Sequence, residues 1–270
     1  MRLVLIGMQR LKLYTILLFL GLLVCCQSWN FPFINGSLTE GLIACYSFEG
    51  NTLDASGNNL TGQLINGATY GTNREGTAQS ALQLDGIDDY FEIPDDAKLR
   101  PDSISISLWL KAKQVVTATD GTRHIYNKDT YATHDNQQYS AFMGRPRSSN
   151  IGSATACCEF FVDVNNDGAC TVEQPVKNEL NYYVPTFELN KWYHFVTIYS
   201  GQTLRLYING ELKVSQKEQT LNPIDRCIGG NLRFGAQAAY DTNCFDGIMD
   251  EIRIYNRGLT QAEITALYKQ

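Results

Sequence analysis

The chain has 270 residues, of which 44% are hydrophobic and 19% charged, a length that allows one large domain or two small ones. Its 22 basic and 28 acidic residues give a formal net charge of −6, and loss of residues 1–28 would leave 19 basic residues and a charge of about −9. An acidic chain of this kind argues against nucleic acid or an anionic membrane surface as partner. It fits neutral glycans, cations or proteins.

Residues 1–28 have the organisation of a secretory signal. Basic Arg2, Arg10 and Lys12 precede an apolar run that ends at Val24, and small or polar residues follow. We therefore predict a signal peptide over 1–28, a lead-in segment over 29–40, and a secreted or cell-surface protein. The apolar run is short for a membrane span, although a retained membrane anchor is the alternative. Lipidation of Cys25 or Cys26 after cleavage, which would give an N-terminal lipid anchor, is a third possibility.

Eight cysteines are present, and an export signal predicts that some form disulfides. The sequence does not fix the pairing. Two pairs have a local reason: Cys227 and Cys244 flank one strand and loop, and Cys158 and Cys170 lie on the arms of a predicted hairpin. A zinc site is disfavoured because the sequence contains no Cys-x-x-Cys pair.

Short runs of β-forming residues separated by turn signals occupy the chain from Gly41 onward, a pattern typical of a sandwich. The segment from Ser103 to Leu110 alternates, so that Ile104, Ile106, Leu108 and Leu110 share one face of a predicted strand. Asn209-Gly210 predicts a tight hairpin turn, because both central positions of that turn need positive φ. Near the end of the chain, Thr260 and Glu263 form a capping box that predicts a short C-terminal helix.

Six short motifs, in this order, resemble laminin-G-like, concanavalin A-like jelly-roll domains. They are Tyr46-Ser-Phe-Glu-Gly-Asn51, Leu84-Asp-Gly-Ile-Asp-Asp-Tyr90, Ile104-Ser-Ile-Ser-Leu-Trp-Leu110, Trp192-Tyr-His-Phe195, Leu206-Tyr-Ile-Asn-Gly210 and Ile248-Met-Asp-Glu-Ile-Arg-Ile-Tyr-Asn-Arg257. The resemblance implies an all-β, two-sheet antiparallel jelly-roll sandwich with a short C-terminal helix over residues 41–270. This fold hosts many functions, so the resemblance predicts architecture rather than activity.

The polar loop after the first strand is the first candidate metal site. Glu49, Asn51 and Asp54 offer the hard oxygen ligands that calcium prefers. Domains that resemble this one often hold a structural calcium where the first loop meets the closing segment, which adds Asp250. We predict a structural Ca²⁺ at these four residues. The alternative is that Asp and Asn only build the turns.

A second loop, Asp163-x-Asn165-x-Asp167-Gly168, matches the start of an EF-hand calcium loop. Its twelfth place holds Gln174 instead of the bidentate Glu that such a loop needs. A hairpin turn at Asn166-Asp167-Gly168 is the favoured interpretation.

Candidate ligand contacts lie in the long stretch 120–150, because loops on a rigid sandwich commonly carry binding residues. The candidates are Arg123, His124, Tyr126, Tyr131 and Tyr139. The alternative is a solvated insertion without a ligand.

Catalytic signatures are missing from the sequence. It contains neither a Gly-x-Ser-x-Gly elbow nor the alternating carboxylates of glycosidases on this fold. We therefore expect a noncatalytic module that binds carbohydrate or a glycoconjugate. The alternative is a surface or matrix adhesion protein that binds another protein, and a third possibility is a polysaccharide-acting enzyme with an unrecognised site.

Overall fold

The computed structural model describes residues 38–114, 122–130, 137–144, 156–163, 177–217, 223–237 and 243–270. The predicted signal peptide and nearly all of the lead-in segment lie outside these ranges, as do Tyr131 and Cys170. Within them, no helix combines the length and apolar character needed to cross a bilayer.

The described elements form two antiparallel sheets. Sheet A contains β1 (Leu42–Tyr46), β3 (Thr69–Gly71), β4 (Ala81–Asp85), β6 (Ile104–Ala112), β11 (Tyr193–Ser200), β12 (Thr203–Ile208), β13 (Glu211–Lys217) and β15 (Asp246–Tyr255). Sheet B contains β2 (Gln63–Ile65), β5 (Tyr90–Ile93), β7 (Thr122–Asp129), β8 (Gln137–Gly144), β9 (Ala156–Asp163), β10 (Lys177–Val184) and β14 (Leu232–Phe234). A 3₁₀ turn spans Ala97–Leu99, and helix α1 spans Gln261–Lys269. The predicted all-β jelly-roll sandwich with a short C-terminal helix is confirmed.

Strand β15, from the closing motif, is the centre of sheet A. The order of the sheet is β13-β12-β11-β6-β15-β4-β3, and β1 also pairs with β15. One edge of β15 pairs with β6, while the other pairs with β4 through its first half and with β1 through its second half. The register to β6 breaks between Asp250 and Arg253, where Glu251 has φ 51°. One ten-residue strand thus aligns three partners.

The core lies between the two sheets. The alternation predicted for β6 places Ile104, Ile106, Leu108 and Leu110 in one buried cluster with residues from the facing sheet. Phe91 and Phe234 contribute rings from sheet B, with their centroids 6.2 Å apart. Burial of such apolar area stabilises a fold by about 25 cal/mol per Å².

The outer face of sheet A is covered by α1. Ile264 and Leu267 of the helix pack with Val196 and Ile198 of β11 in a second buried cluster. The predicted capping box is confirmed, because the Thr260 side chain accepts from the Glu263 N–H and Glu263 Oε2 accepts from the Thr260 N–H. The helix therefore has a fixed start and a fixed docking face.

Glu263 links the helix cap to the turn that follows the closing strand. Its side chain is buried and receives hydrogen bonds from Arg257 at 2.7 Å and 3.0 Å. We expect Glu263→Ala to lower the free energy of unfolding by about 2 kcal/mol, the upper part of the range for a lost helix cap. Glu263→Gln keeps a capping oxygen and should lose less. Equal urea midpoints for wild type and Glu263→Ala would contradict this role.

Candidate functional site

A groove of about 510 Å³ opens where the edges of the two sheets approach each other. Strand β10 is one edge of sheet B, and β13 is an edge of sheet A with β12 beside it. The groove is lined by three tyrosines, Tyr182, Tyr193 and Tyr268, and by polar residues from the facing hairpin. We call this site the tyrosine groove.

The β12–β13 hairpin turn fixes one end of the tyrosine groove. Asn209 and Gly210 have φ 54° and 78°, as the predicted hairpin turn requires. Asn209 Oδ1 accepts from the His194 N–H at 2.9 Å, and Gln261 of α1 donates to the Gly210 carbonyl at 2.8 Å. A side chain at Gly210 would meet the ring of Tyr268. The turn and the helix therefore hold each other in place.

The tyrosine rings are positioned before any ligand arrives. The Tyr193 hydroxyl accepts from the Glu188 N–H at 3.0 Å, and its ring stacks on Phe187 with the centroids 4.7 Å apart. Tyr268 stacks on Trp109 at 5.7 Å and is 37% exposed. Tyr182 is partly buried against the core. A tyrosine offers an apolar ring and a polar hydroxyl, so this surface can contact a ligand that has both characters.

The charges in the groove are balanced. Glu211 and Lys213 of β13 both line the groove, and Lys213 lies where the pairing of β13 with β12 shifts register. Lys213 Nζ lies 2.6 Å from Glu211 Oε2. This hydrogen bond and the ammonium charge lower the pKa of Glu211 below its ordinary value. The lysine thus enters the groove already paired.

Two of the sequence-predicted ligand contacts are core residues. Tyr126 and Tyr139 have no solvent exposure, and their hydroxyls bond to Thr197 Oγ1 at 2.5 Å and to the Leu99 carbonyl at 2.9 Å. Strands β7 and β8 direct these rings between the sheets, where no ligand from solvent can reach them, so the prediction for both residues is corrected.

The other predicted ligand contacts do not line the tyrosine groove. His124 is 4% exposed and packs beside Phe142, with the ring centroids 5.4 Å apart. Arg123 is partly exposed on the same strand. Tyr131 lies outside the described residues. Sequence reasoning missed the groove residues, although the Asn209-Gly210 turn was a usable signal for one of its walls.

Asp54 organises the first loop. Its carboxylate accepts from the Cys45, Ser56 and Leu60 N–H groups at 2.9–3.0 Å and from the Ser56 hydroxyl at 2.9 Å. Asn51 Oδ1 accepts from a backbone N–H two residues on, at 3.0 Å. Two of these contacts, from the Ser56 N–H to Asp54 and from the Leu53 N–H to Asn51, join residues two apart and are of the kind that builds Asx turns. The turn interpretation of this loop therefore has direct support for these two residues.

Glu49 and Asp250, the remaining members of the predicted calcium set, have separate surroundings. Glu49 Oε2 accepts from Ser80 Oγ at 2.7 Å. Asp250 is buried, and its Oδ1 accepts from the Glu251 N–H at 2.7 Å. Burial, reinforced by the charge of Glu251, raises the pKa of Asp250 to about 8. Such a carboxyl holds a proton near neutral pH unless a cation replaces it.

Calcium at the predicted set stays a prediction. In the described part of the chain, one group of at least three acidic, His or Cys side chains has ligand atoms within 4.8 Å of each other, and it is Asp85, Asp88 and Asp89. Glu49, Asp54 and Asp250 do not converge in this way. Asp89 in turn accepts from the Gly67 and Asp85 N–H groups, which indicates a role in the turn.

The two predicted disulfides are not formed. Cys158 and Cys244 are both buried thiols. Because side chains alternate along β9, Cys158 points into the core, while the neighbouring Cys157 lies 3.7 Å from Glu159 on the other face. Cys244 packs with Tyr90 and Ala236. The predicted partner of Cys158, Cys170, lies outside the described residues.

A serine and a histidine lie together beneath α1, at the hydrogen-bonding distance that a serine nucleophile and its general base have in hydrolases. Ser107 Oγ lies 2.9 Å from His194 Nε2, and both side chains are buried. Burial lowers the pKa of His194 to about 3, and nearby Arg253 and Arg74 act in the same direction. Tyr268 and Trp109 stack near the imidazole, with ring centroids 6.0 Å and 5.2 Å away. This pair is packed inside the protein, where it cannot reach a substrate.

Solved structures with the same fold include binding domains. The chain is similar to domain 4 of AbnA, an extracellular GH43 arabinanase from Geobacillus stearothermophilus solved in complex with arabinotriose (19% identity, TM-score 0.60, covering 84% of this chain and 98% of that one). It is also similar to the ligand-binding domain of botulinum neurotoxin serotype D in complex with N-acetylneuraminic acid (18% identity, TM-score 0.62, covering 86% of this chain and 51% of that one). The chain therefore spans about half the length of that toxin domain.

A third similar structure is the binding domain of Paraclostridial Mosquitocidal Protein 1 (16% identity, TM-score 0.62, covering 86% of this chain and 52% of that one). No curated protein matches the chain. Residues 85–265 match the family model Laminin_G_3, described as the concanavalin A-like lectin/glucanases superfamily. This match covers well over half of the sequence and includes four of the six motifs in full. The chain therefore belongs to the Laminin_G_3 family of the concanavalin A-like lectin/glucanases superfamily.

Proposed function

We propose that this protein is a noncatalytic carbohydrate-binding module and that its tyrosine groove holds the glycan. The observation that carries the proposal is a groove of about 510 Å³ in which three tyrosines stand beside amide, hydroxyl and charged groups. Binding sites for small ligands typically have a volume of about 300–1,000 Å³, and this groove lies within that range. The likeness to domains solved with arabinotriose and N-acetylneuraminic acid agrees with a glycan ligand.

The chemistry of the groove suits a sugar. A pyranose or furanose ring has C–H groups that can lie on an aromatic face and hydroxyls that need hydrogen-bonding partners. Tyr182 and Tyr268 offer aromatic faces. Thr186 and Asn209 offer a hydroxyl and an amide from opposite walls. Both kinds of contact are therefore available within one cavity.

The acids of the groove support binding without catalysis. Glycoside hydrolysis generally needs two carboxyl groups, about 5 Å or more apart. Among the described residues that line the groove, Glu211 is the one acid, and it is paired with Lys213. This arrangement supplies no acid and base pair for cleavage. The enzyme possibility therefore has less support than the binding module.

Export and a structural calcium belong to the same proposal. The basic and apolar pattern of residues 1–28 supports secretion, with a lipid anchor at Cys25 or Cys26 as a variant of it. The buried acid Asp250 supports a cation at the closing segment. Glu49 has separate surroundings, and it is the member of the first loop whose carboxylate accepts from a side chain and not from the loop backbone. Asp54 and Asn51 are less suited to bind the cation, because their side-chain oxygens already accept hydrogen bonds from the loop backbone.

A protein partner is the second candidate. Tyr183, Leu189 and Leu212 are 36%, 46% and 48% exposed, and they lie on the two strands and the loop that border the groove. Exposed apolar side chains that cluster in one region can mark a protein interface. The partner in this case is a glycoprotein that presents its glycan to the groove or a protein that contacts its rim.

Substitution of the groove tyrosines tests the proposal. We expect Tyr182→Ala and Tyr268→Ala each to weaken binding about tenfold on an array of oligosaccharides, the loss that follows from about 1.4 kcal/mol of stacking. Tyr183→Ala is the matched control, since it removes the same ring from the opposite face of β10. Tm values report whether each variant is folded.

The array is run with calcium and again with chelator. Binding that chelation abolishes would support the calcium proposal together with the glycan proposal. Unchanged binding by both groove variants would place the glycan elsewhere on the protein. A blank array for folded wild type would favour the protein partner.

A further inference from the structure

The tyrosine groove has a charge arrangement that discriminates between classes of glycan. Lys213 is the one cation among its described lining residues, and its side chain is 25% exposed. Glu211 lies two positions earlier on β13 and places Oε2 2.6 Å from the lysine Nζ. The cation that could hold a carboxylate or sulfate group is therefore already occupied.

The surroundings of the groove repeat this arrangement. Lys191 lies 5.9 Å from the centre of the Tyr193 ring, on the loop that enters β11. Its Nζ lies 2.6 Å from Glu188 Oε1, so this second cation is paired as well. The chain as a whole is acidic, with a formal net charge of −6. An anionic glycan entering the groove would meet Glu211 and a repulsive overall field.

We propose that the tyrosine groove selects uncharged glycans and that Glu211 is the residue that sets this specificity. The proposal rests on the glycan function proposed above. Glu211 neutralises Lys213 and places its own carboxylate beside the ammonium group, where a sialylated, sulfated or uronic-acid glycan would have to approach it. Neutral sugars lose nothing from this pairing, because their hydroxyls can bond to either member of the pair. The tyrosines contribute affinity for neutral and anionic glycans alike, and the Glu211–Lys213 pair makes the binding of neutral glycans stronger than that of anionic ones.

Glu211→Gln tests the role of the pair. The substitution keeps the size and one oxygen of the side chain but removes the charge that holds Lys213. The probes are neutral oligosaccharides and their counterparts that carry one N-acetylneuraminic acid, compared at low and high salt. Wild type should prefer the neutral members. Glu211→Gln should improve binding of the sialylated members about tenfold or more, the effect of one charge-assisted hydrogen bond, and salt should weaken that gain.

Two further variants locate the effect. Glu211→Gln combined with Lys213→Gln should lose the gained binding, because the freed cation is gone. Glu188→Gln is the matched control: it frees Lys191 outside the groove lining and should leave the preference unchanged. Glu211 is an exposed residue of the edge strand β13, so its substitution should leave the Tm of the protein unchanged.

The outcomes separate this inference from the proposed function. A wild-type protein that binds sialylated probes better than neutral ones overturns the inference and leaves glycan binding intact. Neutral binding by wild type with no gain in Glu211→Gln rejects the role of Glu211. Folded protein that binds no probe of either class rejects the glycan function on which the inference rests.

Discussion

Replacing Asp95 with alanine is expected to lower the free energy of unfolding by about 3–5 kcal/mol, because it strands a buried cation. Lys128 of β7 has no solvent exposure at its side chain. Its Nζ donates to Asp95 Oδ1 at 2.7 Å and to the Gly230 carbonyl. Burial lowers the pKa of Lys128, and the contact with Asp95 opposes that shift. Removing the carboxylate leaves the ammonium with one carbonyl partner inside the protein.

Asp95 joins several segments at this end of the sandwich. Besides Lys128, it accepts from the Gly229 N–H at 2.8 Å and pairs with Arg100. Its own N–H donates to Asn231 Oδ1 at 2.9 Å. The carboxylate therefore links strand β7 to the loop that precedes β14 and to the turn after β5.

Asp102→Ala is the matched control for Asp95→Ala. Asp102 and Arg226 also form an ion pair, but their side chains are 66% and 52% exposed. An exposed pair contributes about 1 kcal/mol or less, so this variant should unfold close to wild type in urea. Adding Lys128→Met to Asp95→Ala should recover part of the loss, since it removes the stranded charge. Equal small losses in the two alanine variants would contradict a stabilising role for the buried pair.

The elements that the sequence predicted correctly are those whose signals are local. Alternation in β6, the Asn209-Gly210 turn and the capping box of Thr260 and Glu263 each depend on residues within one element. The structure confirms all three. The order of the six motifs predicted the jelly roll because each motif marks one strand or turn of it.

The tyrosine groove could not be predicted in the same way. Tyr182 and Lys213 come from different sheets, and their proximity depends on the approach of β10 to β13. Nothing local marks that approach. The prediction for Tyr126 and Tyr139 failed for a related reason: the stretch 120–150 looked like a polar insertion, yet its described parts contribute two central strands whose rings face the core.

The predicted disulfide between Cys158 and Cys170 was wrong because proximity along the sequence does not show which face of the sheet a cysteine side chain lies on. Cys157 and Cys158 are adjacent, and the alternation of β9 sends them to opposite sides of sheet B. The side that Cys158 takes is the core, among apolar residues. A partner across a hairpin turn could bond to it only by entering the sandwich.

The pH dependence of stability is expected to depend on two buried groups of sheet A with opposite shifts. The pKa of Asp250 is about 8 in the folded state against about 4 when unfolded, so its contribution to stability is lost as pH rises through about 4 to 8. The pKa of His194 is about 3 against about 6.5 when unfolded, so its contribution is lost as pH falls from about 6.5 to 3. The charges of Arg253 and Arg74 affect the pKa of His194. Those of Glu251, Glu75 and Arg74 affect the pKa of Asp250.

Between about pH 4 and 6.5 these two dependences oppose each other. Folding takes up one proton at Asp250 and releases one at His194, so the two slopes of stability against pH cancel. Above pH 6.5 the histidine is neutral in both states and Asp250 acts alone. We therefore expect, in chelator, a flat region near pH 5–6 and a decline on the order of 2 kcal/mol from pH 6.5 to 8. Urea unfolding at each pH measures it. Asp250→Asn should abolish the decline, and His194→Gln should turn the flat region into a slope that falls with pH.

Calcium reverses the expectation for Asp250, which makes the same titration a test of the proposed metal. A cation needs the ionised carboxylate, so calcium would stabilise the wild type most at pH 8, where the proton is easiest to displace. Asp250→Asn should lose that stabilisation, and Glu49→Gln should reduce it. Asp54→Asn should lower stability equally with calcium and with chelator, because Asp54 accepts its hydrogen bonds from the loop backbone in either case. A wild-type curve that keeps its decline to pH 8 in saturating calcium would reject a cation at Asp250.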